Sequence, residues 1–144
     1  MEIKCKKIKK HAILPTFGSL SAAGCDLYAC LDKNCYIKPG ETVKIGTGLS
    51  IAPPQDTWLG IFARSGLATK QGLRPANCVG VIDSDYRGEI IVAVHNDSNK
   101  TRIINHGDRI AQMIIFPRYS FKFKEVDELS ETERGSGGFG STGK

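Results

Sequence analysis

The stretch VGVIDSDYRGEIIVAVHNDSN, residues 79–99, decides the fold. Apolar, β-branched residues run into Asp83, a polar turn follows, and a second β-rich run, EIIVAVH, leaves it before NDSN ends the pattern. Neither run carries the 3.6-residue apolar repeat of a helix. The stretch therefore predicts a β-hairpin with Asp83, Asp85, Tyr86 and Arg87 at its tip.

The same pattern repeats outward. DLYACL, CYI, TVKIGTGLSIA, WLGIFA, TRIIN, RIAQMIIF and FKFKEV are short and rich in β-branched and aromatic residues, and KPGE 38–41, PPQD 53–56 and NHGD 105–108 separate them. Many short strands punctuated by turns predict an all-β sandwich or barrel. The single helical candidate is LATKQGL, 67–73. RIAQMIIF and EIIVAVH are apolar on both faces, so each needs cover on two sides, inside a barrel or against another subunit.

With 144 residues, 40% hydrophobic and 24% charged, the chain reads as one ordinary globular domain. No apolar run reaches the length of a membrane span and MEIKCKKIKK lacks the apolar region of a secretory signal, so the expected location is the cytoplasm. The net charge is +5, but five lysines and one glutamate in residues 1–10 account for +4 of it. That segment reads as a charged edge strand, and without interleaved aromatics it predicts neither nucleic-acid nor membrane binding. Five cysteines are an odd number, expected as reduced thiols. Cys25, Cys30 and Cys35 read as buried or half-buried thiols, because structural zinc wants a closer pair matched by a second pair.

Five polar clusters interrupt the apolar runs. Asp83 directly follows Ile82, where an unpaired carboxylate is unfavourable unless it has a task or caps a turn. FARSGLA, 62–68, offers Arg64, Ser65 and Gly66 to an anionic oxygen, or Arg64 to a structural ion pair. SAAGCDLYA, 21–29, leads into Asp26, which could hold a cation or cap a turn. GDRIAQMI, 107–114, places Asp108, Arg109 and Gln112 around a mostly apolar strand, where the Gln112 amide needs a partner. The last cluster is RGSGGFGSTGK, 134–144. Its Gly138, Gly143 and Lys144 fit a P-loop spacing, but the Ser or Thr and the helix that a P-loop requires are missing.

The order of AAGCDLYA, ARSGLA, NCVGVIDSDYRGE, GDRIAQMI and RGSGGFGSTG, spanning residues 22–143, resembles the five motifs of the trimeric dUTPase family. The resemblance implies a distorted jelly-roll β-barrel, residues 1–133, with a mobile C-terminal arm, 134–144, in a homotrimer whose active sites are shared between subunits. It implies hydrolysis of dUTP to dUMP and pyrophosphate with Mg2+. Asp83 then matches the carboxylate that activates the attacking water, and Tyr86 the ring under the sugar. Asn77 with the backbone of Val81 and Ile82 matches the reader of the uracil edge. Arg64, Ser65, Gly66 and Gln112 match phosphate contacts, and Asp26 supports Mg2+ through water. Arg134, Phe139, Gly140, Ser141 and Thr142 match the closing arm, with the aromatic covering the base at roughly 1–3 kcal/mol for such stacking. The related dCTP deaminases resemble R-S-S in the second motif and place a glutamate at the hairpin, whereas this chain has RSG and IDSDYRG. His11, His95 and His106 are expected to be non-catalytic. His95 is a candidate to tune pH dependence, and Cys25 and Cys78 to confer sensitivity to oxidation.

Overall fold

Strand β12 (Arg109–Pro117) organises the chain. In the computed structural model, which describes residues 1–139, it lies at the centre of an antiparallel sheet. On one side come β3 (Cys25–Tyr28) and then β2 (Thr16–Phe17); on the other, β7 (Thr57–Phe62) and then β9 (Gly80–Ile82). Three smaller antiparallel sheets complete the fold. β1 (Lys4–Lys7) pairs with β6 (Leu49–Ala52), and β4 (Cys35–Ile37) with β11 (Arg102–Ile104). β10 (Ile91–Asn96) lies between β5 (Thr42–Gly46) and β8 (Leu73–Pro75).

All four sheets bury residues in one core. Leu27, Ile37, Ile45, Leu49, Leu59 and Ile104 are fully or almost fully buried, and each contributes about 1.5–3 kcal/mol of hydrophobic stabilisation. The all-β character expected from the short β-branched runs is what the chain adopts. Among the described residues the four sheets stay separate, and none closes on itself.

The helix α1 spans Ser65–Gln71, two residues earlier than its apolar pattern indicates. Gly72 stops it in the left-handed conformation, φ 67°, with its N–H returned to the carbonyl of Ala68. The charged edge strand expected at the N-terminus is β1, whose only strand partner among the described residues is β6. No helix among the described residues is long and apolar enough to cross a membrane.

Two expectations are corrected. First, the runs on either side of Asp83–Gly88 do not form a hairpin with each other: β9 pairs with β7, while β10 pairs with β5 and β8. Ile90, fully buried and accepting from Thr47 N–H at 3.1 Å just past the end of β5, draws the returning chain alongside that strand. Second, FKFKEV is not a strand. Phe121 and Phe123 are 73% and 93% exposed, and no described strand lies alongside to satisfy that backbone. Within one chain β10 buries Val92 and Val94 and leaves the apolar Ile91 exposed, so only one of its two apolar faces is covered.

Candidate active site

Asp26 is held from two sides. Arg64 Nε donates to Asp26 Oδ1 at 2.7 Å, and Arg109 Nη1 donates to Oδ2 at 3.2 Å. The Asp26 side chain is only 13% exposed, so this double pairing satisfies a carboxylate that burial would otherwise penalise. One irregularity in β12 makes it possible. Gln112 pairs with Asp26 and Arg109 with Tyr28, but the register shifts between Arg109 and Ala111. In a regular strand, residues three apart face opposite ways. The bulge turns Arg109 onto the outward face that carries Asp26, Tyr28 and Gln112.

Gln112 donates from Nε2 to Ala63 O at 2.8 Å, which fastens the point where β7 leaves the sheet for α1. That answers its need for a partner and places Arg64 beside Asp26. These groups border an open cavity of about 480 Å³, further lined by Ser65, Gly66 and Lys70. A Cβ on Gly66 would meet nothing within 4 Å, so the first turn of α1 leaves open space there. With Arg64, Arg109 and Lys70 set against one carboxylate, the cavity carries excess positive charge and suits a polyanion. Sequence reasoning missed Lys70 and noted Arg109 beside Gln112 without assigning it to this cavity. Lys70 had a signal, four positions after Gly66 on one helix face.

A second, smaller cavity of about 110 Å³ lies between β9 and β10, lined by Asn77, Gly80, Val81 and Ile82 from one side and Ile91 and Ala93 from the other. At roughly 30 Å³ per water it holds the equivalent of three or four, about the space of one flat ring. The loop entering it is tightly wound: Cys78 takes φ 61°, and Val79 N–H reaches Asn77 O at 2.6 Å. Beyond it, Asp83 is exposed and its carboxylate has no hydrogen bond or ion pair among the described residues. Exposure removes the desolvation penalty on which the sequence argument for Asp83 rested. Tyr86 folds back over Gly88, where any Cβ would collide with its ring, and donates from its hydroxyl to Glu89 O at 3.0 Å. Arg87 donates to Ser84 O and Tyr86 O at 2.7 and 2.8 Å, so its guanidinium shapes this loop.

Asp83 is far from the Asp26 cavity within the chain. Ile82 pairs with Leu59 near the start of β7, so Asp83 emerges there, whereas Arg64 leaves the far end. At about 3.3 Å per residue the backbones are roughly 15–20 Å apart along the strand. Arg134 and Phe139 line neither cavity, and Phe139 is fully exposed. Gly140, Ser141 and Thr142 lie outside the described residues. His95 is bonded to Thr42 at 2.8 Å and sits 3.3 Å from Asp97, away from both cavities. The hydrogen bond from Arg74 holds the Asp97 carboxyl below the usual carboxylate range. Of the two cysteines considered for oxidation, Cys25 is buried and its thiol is pushed up by that burial, while Cys78 is exposed.

Comparison with known proteins then decides the family. The dUTPase family model matches residues 10–143. The chain belongs to the dUTPase family. A deoxyuridine 5'-triphosphate nucleotidohydrolase of Desulfitobacterium hafniense is 54% identical over 146 residues, covering 99% of this chain and 97% of the relative. The dUTPase of Staphylococcus bacteriophage 80alpha with dUpNHpp superposes with a TM-score of 0.87 at 25% identity, covering 99% of each chain. A variant dUTPase of phage phi11 of S. aureus, described for its coordination of a structural Mg(II) ion, has the same fold with a TM-score of 0.82 at 21% identity, covering 91% of this chain and 100% of that one.

Proposed function

The family's reaction is the hydrolysis of dUTP, and we propose that this chain carries it out by closing its two half-sites together from different copies. The observation that carries this reading is the distance between them. Asp83 emerges beside the start of β7, whereas Arg64, paired with Asp26 in the cationic cavity, leaves its far end. One nucleotide meets both only if a second subunit supplies one of them. Exposed apolar side chains on the same molecule need cover as well: Phe17, Tyr119, Phe121, Phe123 and Leu129 are 63–93% exposed. A homotrimer with shared sites, its sheets completing a jelly-roll barrel, accounts for both features. Residues 134–144 then act as the arm that closes over bound substrate.

In this arrangement the uracil edge meets Asn77 and the backbone of Val81 and Ile82. Tyr86 packs beneath the deoxyribose. Arg64, Ser65, Gly66 and Gln112 of another copy hold the phosphates, and Arg109 and Lys70 add positive charge. Asp83 orients a water in line with the α-phosphorus and takes its proton, and pyrophosphate departs. The arginines stabilise the charge that develops on the leaving phosphates. Arg134 and Phe139, with Gly140, Ser141 and Thr142, belong to the closing arm. Asp26 fits Mg2+ only through water, because both of its oxygens are already engaged by arginines. An ion carried mainly by the phosphates is the usual mode for this cation, and it neutralises triphosphate charge when bound. The substrate is free nucleotide, as expected of a cytoplasmic enzyme.

The test is pyrophosphate release from dUTP, UTP, dTTP and dCTP, for wild type and Asp83→Asn. Turnover of dUTP alone, abolished by the substitution, supports the reading. Binding of dUTP without hydrolysis by the wild type overturns it.

A further inference from the structure

Outside both cavities, three side chains that the reaction does not use converge. We propose that His11, Cys30 and His106 form a binding site for a divalent cation of the zinc type. One nitrogen or sulfur from each lies within 4.8 Å of the others. The two imidazoles meet edge to face, with centroids 5.1 Å apart. Thiolate plus two imidazoles is a borderline-soft donor set that favours zinc, cobalt or nickel over Mg2+.

The site is built from three segments far apart in sequence, and each is anchored by backbone hydrogen bonds. The turn carrying His11 is closed by Ala12 N–H to Lys9 O at 3.1 Å and tied through Ile8 N–H to Gly48 O at 2.9 Å. Cys30, at the exit of β3, donates its N–H to Gly46 O at 2.9 Å. The turn carrying His106 is joined to β3 by Gly107 N–H to Ala29 O at 2.9 Å. Gly48 leaves room for the thiol, since a Cβ there would stand 2.7 Å from Cys30 Sγ.

Cys30 is 2% exposed, whereas both histidines are exposed, and His106 Nδ1 accepts from Leu31 N–H at 3.4 Å, which leaves its Nε2 for a cation. Tetrahedral zinc, with bonds of about 2.0–2.3 Å, requires the imidazoles to close in by roughly 1 Å. His11 Nε2 already faces Asp32 Oδ1 at 3.4 Å, an arrangement that orients a ligating imidazole through its far nitrogen. The fourth position falls to water. Burial pushes the free Cys30 thiol up, so metal binding there releases a proton. Cys30 lies four residues after Asp26 and His106 three before Arg109. A bound cation would cross-link, just beyond the end where Arg109 pairs with Tyr28, the two strands that carry the Asp26–Arg109 pair, and tie the N-terminal segment to them.

Cobalt(II) titration of the full chain, without nucleotide, tests this independently of the hydrolytic reading. One equivalent per chain should give the visible bands of a four-coordinate ion and a thiolate charge-transfer band, and should raise the melting temperature. Cys30→Ser should remove the charge-transfer band, and Cys78→Ser should leave it intact. His106→Asn, at an exposed position, should weaken cobalt binding more than tenfold, and Asp32→Asn about tenfold. If Cys30→Ser fails to fold, the double variant His11→Asn with His106→Asn decides. Absence of a thiolate band in the wild type, or its survival in the double variant, overturns the proposal.

Discussion

The two cavities are built on opposite principles. The Asp26 cavity is charged and internally bonded: two guanidiniums hold one carboxylate, and the Gln112 amide holds the Ala63 carbonyl, before any ligand arrives. The Val81–Ile82 cavity is lined by Asn77, backbone and apolar side chains, and just beyond it Asp83 stands in solvent without a partner among the described residues. The first half-site carries its order internally. The second spends its order on backbone shape and leaves its carboxylate free to act. Substitutions should therefore separate stability from activity in one half and couple them in the other.

The largest effect is expected from Asp83→Asn. It removes the proton acceptor without breaking any bond in the chain, so kcat should fall by about 10²–10⁴ while the melting temperature stays put. A parallel loss of stability would show that Asp83 holds structure after all. Asp26→Asn should do the reverse in kind. It leaves Arg64 and Arg109 facing each other over a weaker acceptor, lowering stability by about 1.5–3 kcal/mol for the lost charge-assisted bonding. The kcat/KM for dUTP should drop about a hundredfold alongside it, near 2.7 kcal/mol. Thermal unfolding and steady-state kinetics on both variants check the contrast directly.

A tenfold effect is expected from Gly88→Ala. The added methyl would overlap the Tyr86 ring, so the ring must leave its seat over the backbone. Preference for dUTP over UTP should fall about tenfold, whereas Tyr86→Phe loses only the bond to Glu89 O, about 1 kcal/mol. Equal discrimination in wild type and Gly88→Ala would remove Tyr86 from the reading of the sugar.

Much of this was legible in the sequence, and the failures have common causes. Period-two runs and turn signals identify the all-β class because they depend only on neighbouring residues. Only the resemblance to the dUTPase motifs, and no local pattern, assigns Asp26, Arg64 and Gln112 to one site. Arg109 is hidden because it sits an odd three positions before Gln112, and only a bulge reverses that parity. The hairpin expected around Asp83 fails because a tight turn does not specify which sheet the returning strand joins, and Ile90 takes it to another. FKFKEV alternates like a strand, yet pairing requires an edge that the described chain does not offer it. His11, Cys30 and His106 converge through three turns, and spacing along the chain carries no trace of that.

The smallest effect probes what holds the second half-site in shape. Cys78 adopts φ 61°, a left-handed conformation that disfavours any residue with a Cβ by about 1–2 kcal/mol, and it does so in the loop that presents Asn77. Glycine removes that strain but gives back about 0.5–1 kcal/mol through the greater freedom of the unfolded chain. Cys78→Gly should therefore stabilise by roughly 0.5–1 kcal/mol, measured by denaturant unfolding under reducing conditions. Cys78→Val, with a branched Cβ at positive φ, should destabilise by more. The KM for dUTP decides what the strain does. If Cys78→Gly is more stable at unchanged KM, the bonds Cys78 N–H to Pro75 O and Val79 N–H to Asn77 O hold the loop by themselves. If stability rises while KM also rises, the conformational restriction imposed by the Cys78 side chain helps keep the ring-sized cavity open before substrate arrives.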